Sequence, residues 1–216
     1  MKNYLSQLKL KKPNKLTSML IVGATLLVIG TIGVFPTLYF RWSNTGTASA
    51  TPLNSSQVFS QLNTQPKSGV KQPLVTGFPV SISIPGSRPD LNINLGIIPG
   101  YYNKTSGTWT LSEDAAQFAV MSSQPNNISG NTFIYGHYRA NVFAYLHLIQ
   151  PGTIVTINTN NGYQFNYKYV TTYAVQPTDT NVLGYSGNPI LTIQTCSGTF
   201  FQNRQMFIFS YVGYKG

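Results

Sequence analysis

The stretch "LTIQTCSGTFFQNRQMF", residues 191–207, holds the only cysteine in the chain. Cys196 follows a run rich in β-branched residues, Pro189 to Thr195, that reads as a strand. Arg204 comes eight positions later, at the start of a second apolar run. A strand ending at Cys196, a loop over 197–203 and a strand starting near Arg204 make a wide hairpin. Antiparallel neighbours then bring Arg204 alongside the end of the cysteine strand. A free cysteine packs well as a small buried hydrophobe, so the residues around it must decide between packing and chemistry.

Working outward, short β-branched and aromatic runs recur between Gly, Asn and Pro turns. "FPVSISIPG" alternates, with Val80, Ile82 and Ile84 on one face, and "LNINLGIIPG" repeats this with Leu91, Ile93 and Leu95. "NTFIYGH", "GTIVTINTNNGYQFNYKYVTTYAVQ" and "RQMFIFSYVGY" follow, and Asn161-Gly162 is a hairpin signal. Such a pattern predicts an all-β barrel or sandwich. "LSEDAAQFAVM" is the one soluble helix expected, with Ser112 as its cap and Glu113 and Asp114 in its first turn.

The net charge of +10 has a particular distribution. Six of the fourteen basic residues (Lys2, Lys9, Lys11, Lys12, Lys15 and Arg41) lie at or before residue 41, with no acid among them. The remaining chain carries eight basic and four acidic residues, a mild balance without the basic cluster that a phosphate backbone needs. No nucleic-acid partner is expected. Between Lys15 and Arg41 run 25 uncharged residues, 16–40. As a helix they would span about 37 Å, against about 30 Å of hydrocarbon. The preceding lysines of segment 1–15 keep the N-terminus cytoplasmic. The rival is a cleaved signal peptide, for which "TASA" at 47–50 offers a cleavage site, although the apolar run is longer than such a core requires. Residues 41–77, rich in Ser, Thr, Asn, Gln and Pro, read as a flexible tether outside the membrane, with the folded domain over 78–216.

A thiol attacks as thiolate and needs a base or a cation nearby. The chain has two histidines. His137 closes the run "TFIYGH" at a strand-to-loop junction. His147 sits among Leu146, Leu148 and Ile149 and reads as a partly buried packing residue. His137 and Cys196, each at the end of a β run, are the candidate pair, with Arg204 as a third element that could hold a carbonyl or an oxyanion.

"TIQTC", Thr192 to Cys196, resembles the T-L-x-T-C signature of the sortases, with Ile193 in place of Leu. "YGHYRANVFAYLHLIQPGTIVTI" is similar to the sortase segment in which G-H precedes F-x-x-L and a P-G loop, here Phe143, Leu146, Pro151 and Gly152. The resemblance covers roughly residues 78 to 213. It implies a closed eight-stranded β-barrel with one or two short helices behind an N-terminal transmembrane helix. It implies a membrane-anchored cysteine transpeptidase that cleaves the Thr–Gly bond of an LPxTG-like sorting signal on secreted proteins. The acyl group would pass to an amine of a cell-wall precursor or a pilin lysine. Carried over, Cys196 is the nucleophile, His137 the general acid/base and Arg204 the oxyanion and substrate clamp, while Thr195 neighbours the nucleophile and touches the signal peptide. No acidic cluster marks a calcium site, and no cofactor or metal is expected.

Two other readings compete. L,D-transpeptidases are also β-rich cysteine enzymes, but their S-H-G-C element is absent, since Gln194 and Thr195 precede the cysteine. An anchored adhesion or binding domain with an inert buried thiol is the non-enzymatic alternative.

The lysine asymmetry generates a prediction about topology. Protease added to intact cells removes the domain of residues 78–216, and the mature chain retains residues 16–40. Protection of the domain, or a mature terminus near residue 50, would refute the anchor.

Overall fold

The computed structural model describes residues 55–62, 72–103, 105 and 108–216. The segment read as cytoplasmic, 1–15, and the span read as transmembrane, 16–40, lie outside the described residues. Among the described residues no helix is long and apolar enough to cross a membrane.

Among the described residues ten strands form: β1 (Pro79–Ile84), β2 (Ile93–Gly100), β3 (Tyr102–Asn103), β4 (Thr108–Trp109), β5 (Ala116–Ala119), β6 (Asn131–Tyr135), β7 (Ile154–Thr159), β8 (Gln164–Val175), β9 (Ile190–Ser197) and β10 (Asn203–Lys215). Eight of them close into a barrel in the order β1-β2-β5-β6-β9-β10-β8-β7, with β7 returning to β1, while β3 and β4 pair apart as a small hairpin. The all-β, eight-stranded expectation therefore holds. Neighbours are antiparallel except β2 with β5 and β6 with β9.

Alternation fills the inside. Ile82, Phe118, Ile134, Ile157, Phe165, Leu191, Ile193 and Phe209 belong to one buried cluster, which Val142, Phe143 and Leu146 of the segment after β6 also join. Closure removes sheet edges, so every barrel strand is paired on both sides. The Asn-Gly signal is a hairpin as expected: Gly162 takes φ +90°, Thr159 N donates to Tyr163 O at 2.9 Å, and β7 runs into β8.

Three details depart from the sequence reading. First, "LSEDAAQFAVM" is not a helix. Ser112 does cap, its Oγ accepting from Ala115 N at 3.2 Å, but only for one turn. The chain then extends as β5, four residues buried on both faces: Ala116 and Phe118 inside the barrel, Ala119 in a second cluster outside it. A short strand covered on both sides shows no alternation, and cap chemistry upstream of it imitates a helix start.

Second, helix α1 (Ser55–Leu62) lies within the stretch read as tether. Val58 is buried, and Phe59 and Leu62 pack beside it on the outer cluster of Ala119, Phe133, Tyr135, Tyr173, Met206 and Ile208. Phe59 meets Tyr185 with ring centroids 4.9 Å apart, and Asn188 Nδ2 donates to Leu62 O at 3.3 Å. Three apolar residues in eight are too few for a visible period. The other helices among the described residues are 3-10 turns at Pro89–Leu91, Ala144–Leu148 and Asn181–Gly184. Third, the register of β1 shifts between Pro79 and Ser81, so Val80 faces solvent while Ile82 and Ile84 stay inside.

Gly136, the residue after β6, is crowded. A Cβ there would sit 2.9 Å from Val142 Cγ1 and 3.0 Å from the Phe143 ring. The chain therefore turns back against its own strand end only because this position has no side chain. Gly136→Ala is expected to destabilise the fold by about 1–3 kcal/mol through overpacking, read as a fall in Tm by thermal denaturation. An unchanged Tm would mean that Phe143 yields freely.

Candidate active site

β6 and β9 run parallel, with Tyr135 beside Gln194, and Gly136 N donates to Gln194 O at 3.1 Å. Two residues further along each chain come His137, just past the end of β6, and Cys196, still within β9. β9 and β10 run antiparallel, and Arg204 is the direct partner of Cys196. The hairpin inferred from the sequence thus forms in the expected register.

Side-chain alternation then sets the face. Leu191 and Ile193 point into the barrel, so Cys196 points outward. Phe133 and Tyr135 join the outer cluster, which turns His137 outward, and Met206 and Ile208 do the same for Arg204. Cys196 and Arg204 consequently stand side by side on the outer face of β9 and β10, strands about 4.8 Å apart, and His137 follows the end of β6, the neighbour of β9 on its other side. All three are partly exposed. A thiol flanked by an imidazole and a guanidinium has a proton acceptor on one side and a fixed cation on the other.

Arg204 is held from its own loop. Its Nη1 donates to Phe201 O at 3.2 Å and to Asn203 O at 3.1 Å. Five N–H donors leave the fork with capacity for a further acceptor. The loop that supplies these carbonyls is tight: Gly198 takes φ +86° and Phe201, unusually for a bulky residue, φ +57°. Phe201 meets the ring of Tyr138 at 6.0 Å. The segments that follow His137 and Cys196 are thereby joined. Burial pushes the Tyr138 phenol above its usual pKa.

Thr195 is placed differently from its neighbour. It is 2% exposed, and alternation turns its side chain toward the barrel wall, away from the face that carries Cys196. Its hydroxyl is buried without a partner among the described residues. His147 is exposed rather than partly buried, its Nδ1 against Ala144 O and its ring 6.2 Å from Tyr138.

The sequence reading missed Glu113, which it assigned to a helix. Its Oε1 lies 3.6 Å from His137 Nε2, and Arg139 Nη1 donates to its Oε2. Glu113 and His137 are 24 positions apart, and only the antiparallel pairing of β5 with β6, Gln117 beside Tyr135, brings the turn to the strand end. No local signal in the sequence announces that contact. Among the described residues no group of three or more His, Cys, Asp or Glu side chains gathers as a metal site would require.

Known proteins match this arrangement at the level of fold. The structure of sortase A from Listeria monocytogenes superimposes with a TM-score of 0.50 at 17% identity, covering 64% of this chain and 90% of that one. A sortase from Actinomyces oris gives 0.51 at 17% identity, covering 68% and 89%. Sortase C1 from Streptococcus agalactiae gives 0.50 at 20% identity, covering 74% and 78%. Among curated proteins, none matches this chain. A family model described as the sortase domain matches residues 87–210. That match takes in β2 to β10 almost entirely, including His137, Cys196 and Arg204, and it exceeds half of the chain: the protein belongs to the sortase family.

Proposed function

We infer that this chain is a cysteine transpeptidase that cleaves a sorting signal and transfers the acyl group to an amine. What supports the reading is the pairing of Cys196 with Arg204 across β9 and β10, with His137 two residues past the end of the neighbouring β6. The substrate class is a secreted protein ending in an LPxTG-like signal, cut at its Thr–Gly bond. The acceptor is an amine of a cell-wall precursor or of a pilin lysine. The enzyme is anchored in the bacterial membrane through residues 16–40, cytoplasmic at its N-terminus, with the barrel outside, where secreted substrates emerge.

The chemistry follows from the placement. Cys196 Sγ, as thiolate, attacks the threonine carbonyl carbon, and the C=O pair moves onto oxygen. Arg204, already directed by two loop carbonyls, stabilises that oxyanion with its free donors. The oxyanion collapses, the C–N bond breaks, and protonated His137 gives its proton to the leaving glycine amine. A thioester remains. An incoming amine attacks it, His137 takes the surplus proton, and the C–S bond breaks to return the thiolate. The exposed outer face suits an extended peptide laid along the strands. Thr195 serves this scheme from beneath, packing the strand that carries the nucleophile, and its side chain has no direct route to the peptide.

The experiment is an intact-mass measurement of the full chain, in detergent, after incubation with a panel of sorting-signal peptides. An acyl adduct on Cys196 that hydroxylamine or an amine nucleophile removes is the expected result. A thiol that reacts with neither peptides nor iodoacetamide would favour the adhesion-domain alternative.

Two mutational outcomes follow from the roles. His137→Ala lowers turnover by about 10²–10⁴-fold, whereas His147→Gln leaves most activity, because His147 interacts with Ala144 and Tyr138 rather than with the thiol. Stopped acylation kinetics on both variants checks this, and the reverse pattern would overturn the assignment of His137.

Arg204→Lys loses the planar fork. Loss of one oxyanion donor costs about 10²–10³-fold in rate. We expect Cys196 acylation at least about tenfold slower, a conservative floor under that range, while Tm stays within a few degrees, because a partly exposed cation contributes little to stability. Unchanged acylation would remove Arg204 from the site.

A further inference from the structure

The chain has only four acids, and each can be followed. Asp90 pairs with Arg88. Asp114 accepts from Ser112 Oγ, and Asp179 from Asn181 N. Glu113 alone turns to the candidate active site. Its two carboxylate oxygens are divided: Oε2 accepts from Arg139 Nη1, and Oε1 faces His137 Nε2 at 3.6 Å.

The backbone beneath Glu113 is braced from both sides. Ser112 N donates to Gln117 Oε1 at 2.7 Å, and the buried Gln117 returns Nε2 to Thr110 Oγ1 at 2.9 Å. From the other side, Asn141 Nδ2 donates to Glu113 O at 3.3 Å. The carboxylate is exposed, yet the turn that presents it is fixed against the segment after β6 that carries His137 and Arg139.

The two nitrogens of an imidazole are not equivalent. A carboxylate at one of them keeps the proton there and leaves the other as the acceptor. We propose that Glu113 is a positioning residue for His137, holding the Nε2 proton toward its own carboxylate so that Nδ1 exchanges the proton with the Cys196 thiol. The proposal rests on the reading of Cys196 and His137 as the reactive pair. In the step, the Sγ–H bond breaks, the proton passes to Nδ1, and the imidazolium so formed retains Nε2–H beside the carboxylate. A separation of 3.6 Å exceeds a hydrogen bond, and a small ring rotation closes it when the site is loaded. Arg139, on the second oxygen, limits where the carboxylate can swing. Among the described residues the charged group recorded against His137 is Glu113, whose other oxygen is held by Arg139.

Glu113→Ala separates this from a structural role, because an exposed ion pair contributes little to folding. Three readouts are taken on the full chain in detergent. Long-range proton–nitrogen correlation spectra of the histidine rings report which nitrogen of His137 is protonated. We expect Nε2–H in the wild type and a mixture of tautomers in Glu113→Ala. Alkylation of Cys196 by iodoacetamide slows several-fold. The first-order acylation constant with an LPxTG peptide falls by about tenfold, the lower end for lost orienting partners, with half-saturation and Tm unchanged. Glu113→Gln, which keeps an acceptor oxygen, recovers the Nε2–H tautomer and part of the rate.

An unchanged tautomer with unchanged alkylation overturns the proposal. So does a loss of rate accompanied by a Tm lowered by many degrees, which would make Glu113 a structural residue. If no peptide acylates even the wild type, the transpeptidase reading fails, while tautomer and alkylation still decide the role of Glu113.

Discussion

The register between β9 and β10 is the constraint on which the site depends. Arg204 lies opposite Cys196 because Phe207 lies opposite Ile193 and Phe209 opposite Leu191, all four buried in the barrel. A slip by one residue would turn every one of these side chains to the other face. It would bury a guanidinium and expose aromatic rings. The core therefore holds Cys196 and Arg204 in place although neither belongs to the core. β6 is bound into the same arrangement by its parallel pairing with β9, which fixes how far along the strand His137 stands.

The outer face of these strands is divided in use. Near one end it is closed by α1, Trp109 and the 3-10 turn with Val182 and Leu183, which cover Phe133, Tyr135, Met206 and Ile208. Toward the other end the cover stops and the polar side chains begin. Gln194, between Tyr135 and Met206 in the sheet, marks the transition. A strand such as β9 thus turns Leu191, Ile193 and Thr195 inward, while its outer side begins with the buried Ile190 and ends with Cys196. The same sequence of residues serves packing and chemistry through alternation alone.

Much of this was legible because it is local. The hairpin from Cys196 to Arg204 needs only two β runs and a loop, and the hydrophobic residues on either side settle its register. His137 was legible as a strand end. What was not legible depends on partners distant in sequence. β5 has four buried residues and no alternation to display, and the Ser112 cap upstream of it argued for a helix. α1 shows three apolar residues among polar ones, meaningful only once the outer cluster exists to receive Val58. The turn of Val80 to solvent needs the shifted pairing with β7. Glu113 reaches His137 only through the β5–β6 pairing, which the helix assignment had removed from view.

The parallel neighbourhood of β6 and β9 has a consequence for the birth of the molecule. His137 and Cys196 are 59 positions apart, and their strands become neighbours only after β7 and β8 have been made in between. β10 then pairs with both β8 and β9, so the last of the described strands is the one that closes the cylinder. Non-local pairing of this kind forms late, because loop closure must precede the contacts that reward it. A chain still emerging from its N-terminus carries a cysteine without a barrel to present it. Reactivity is acquired once β10 has been made and has paired with β8 and β9.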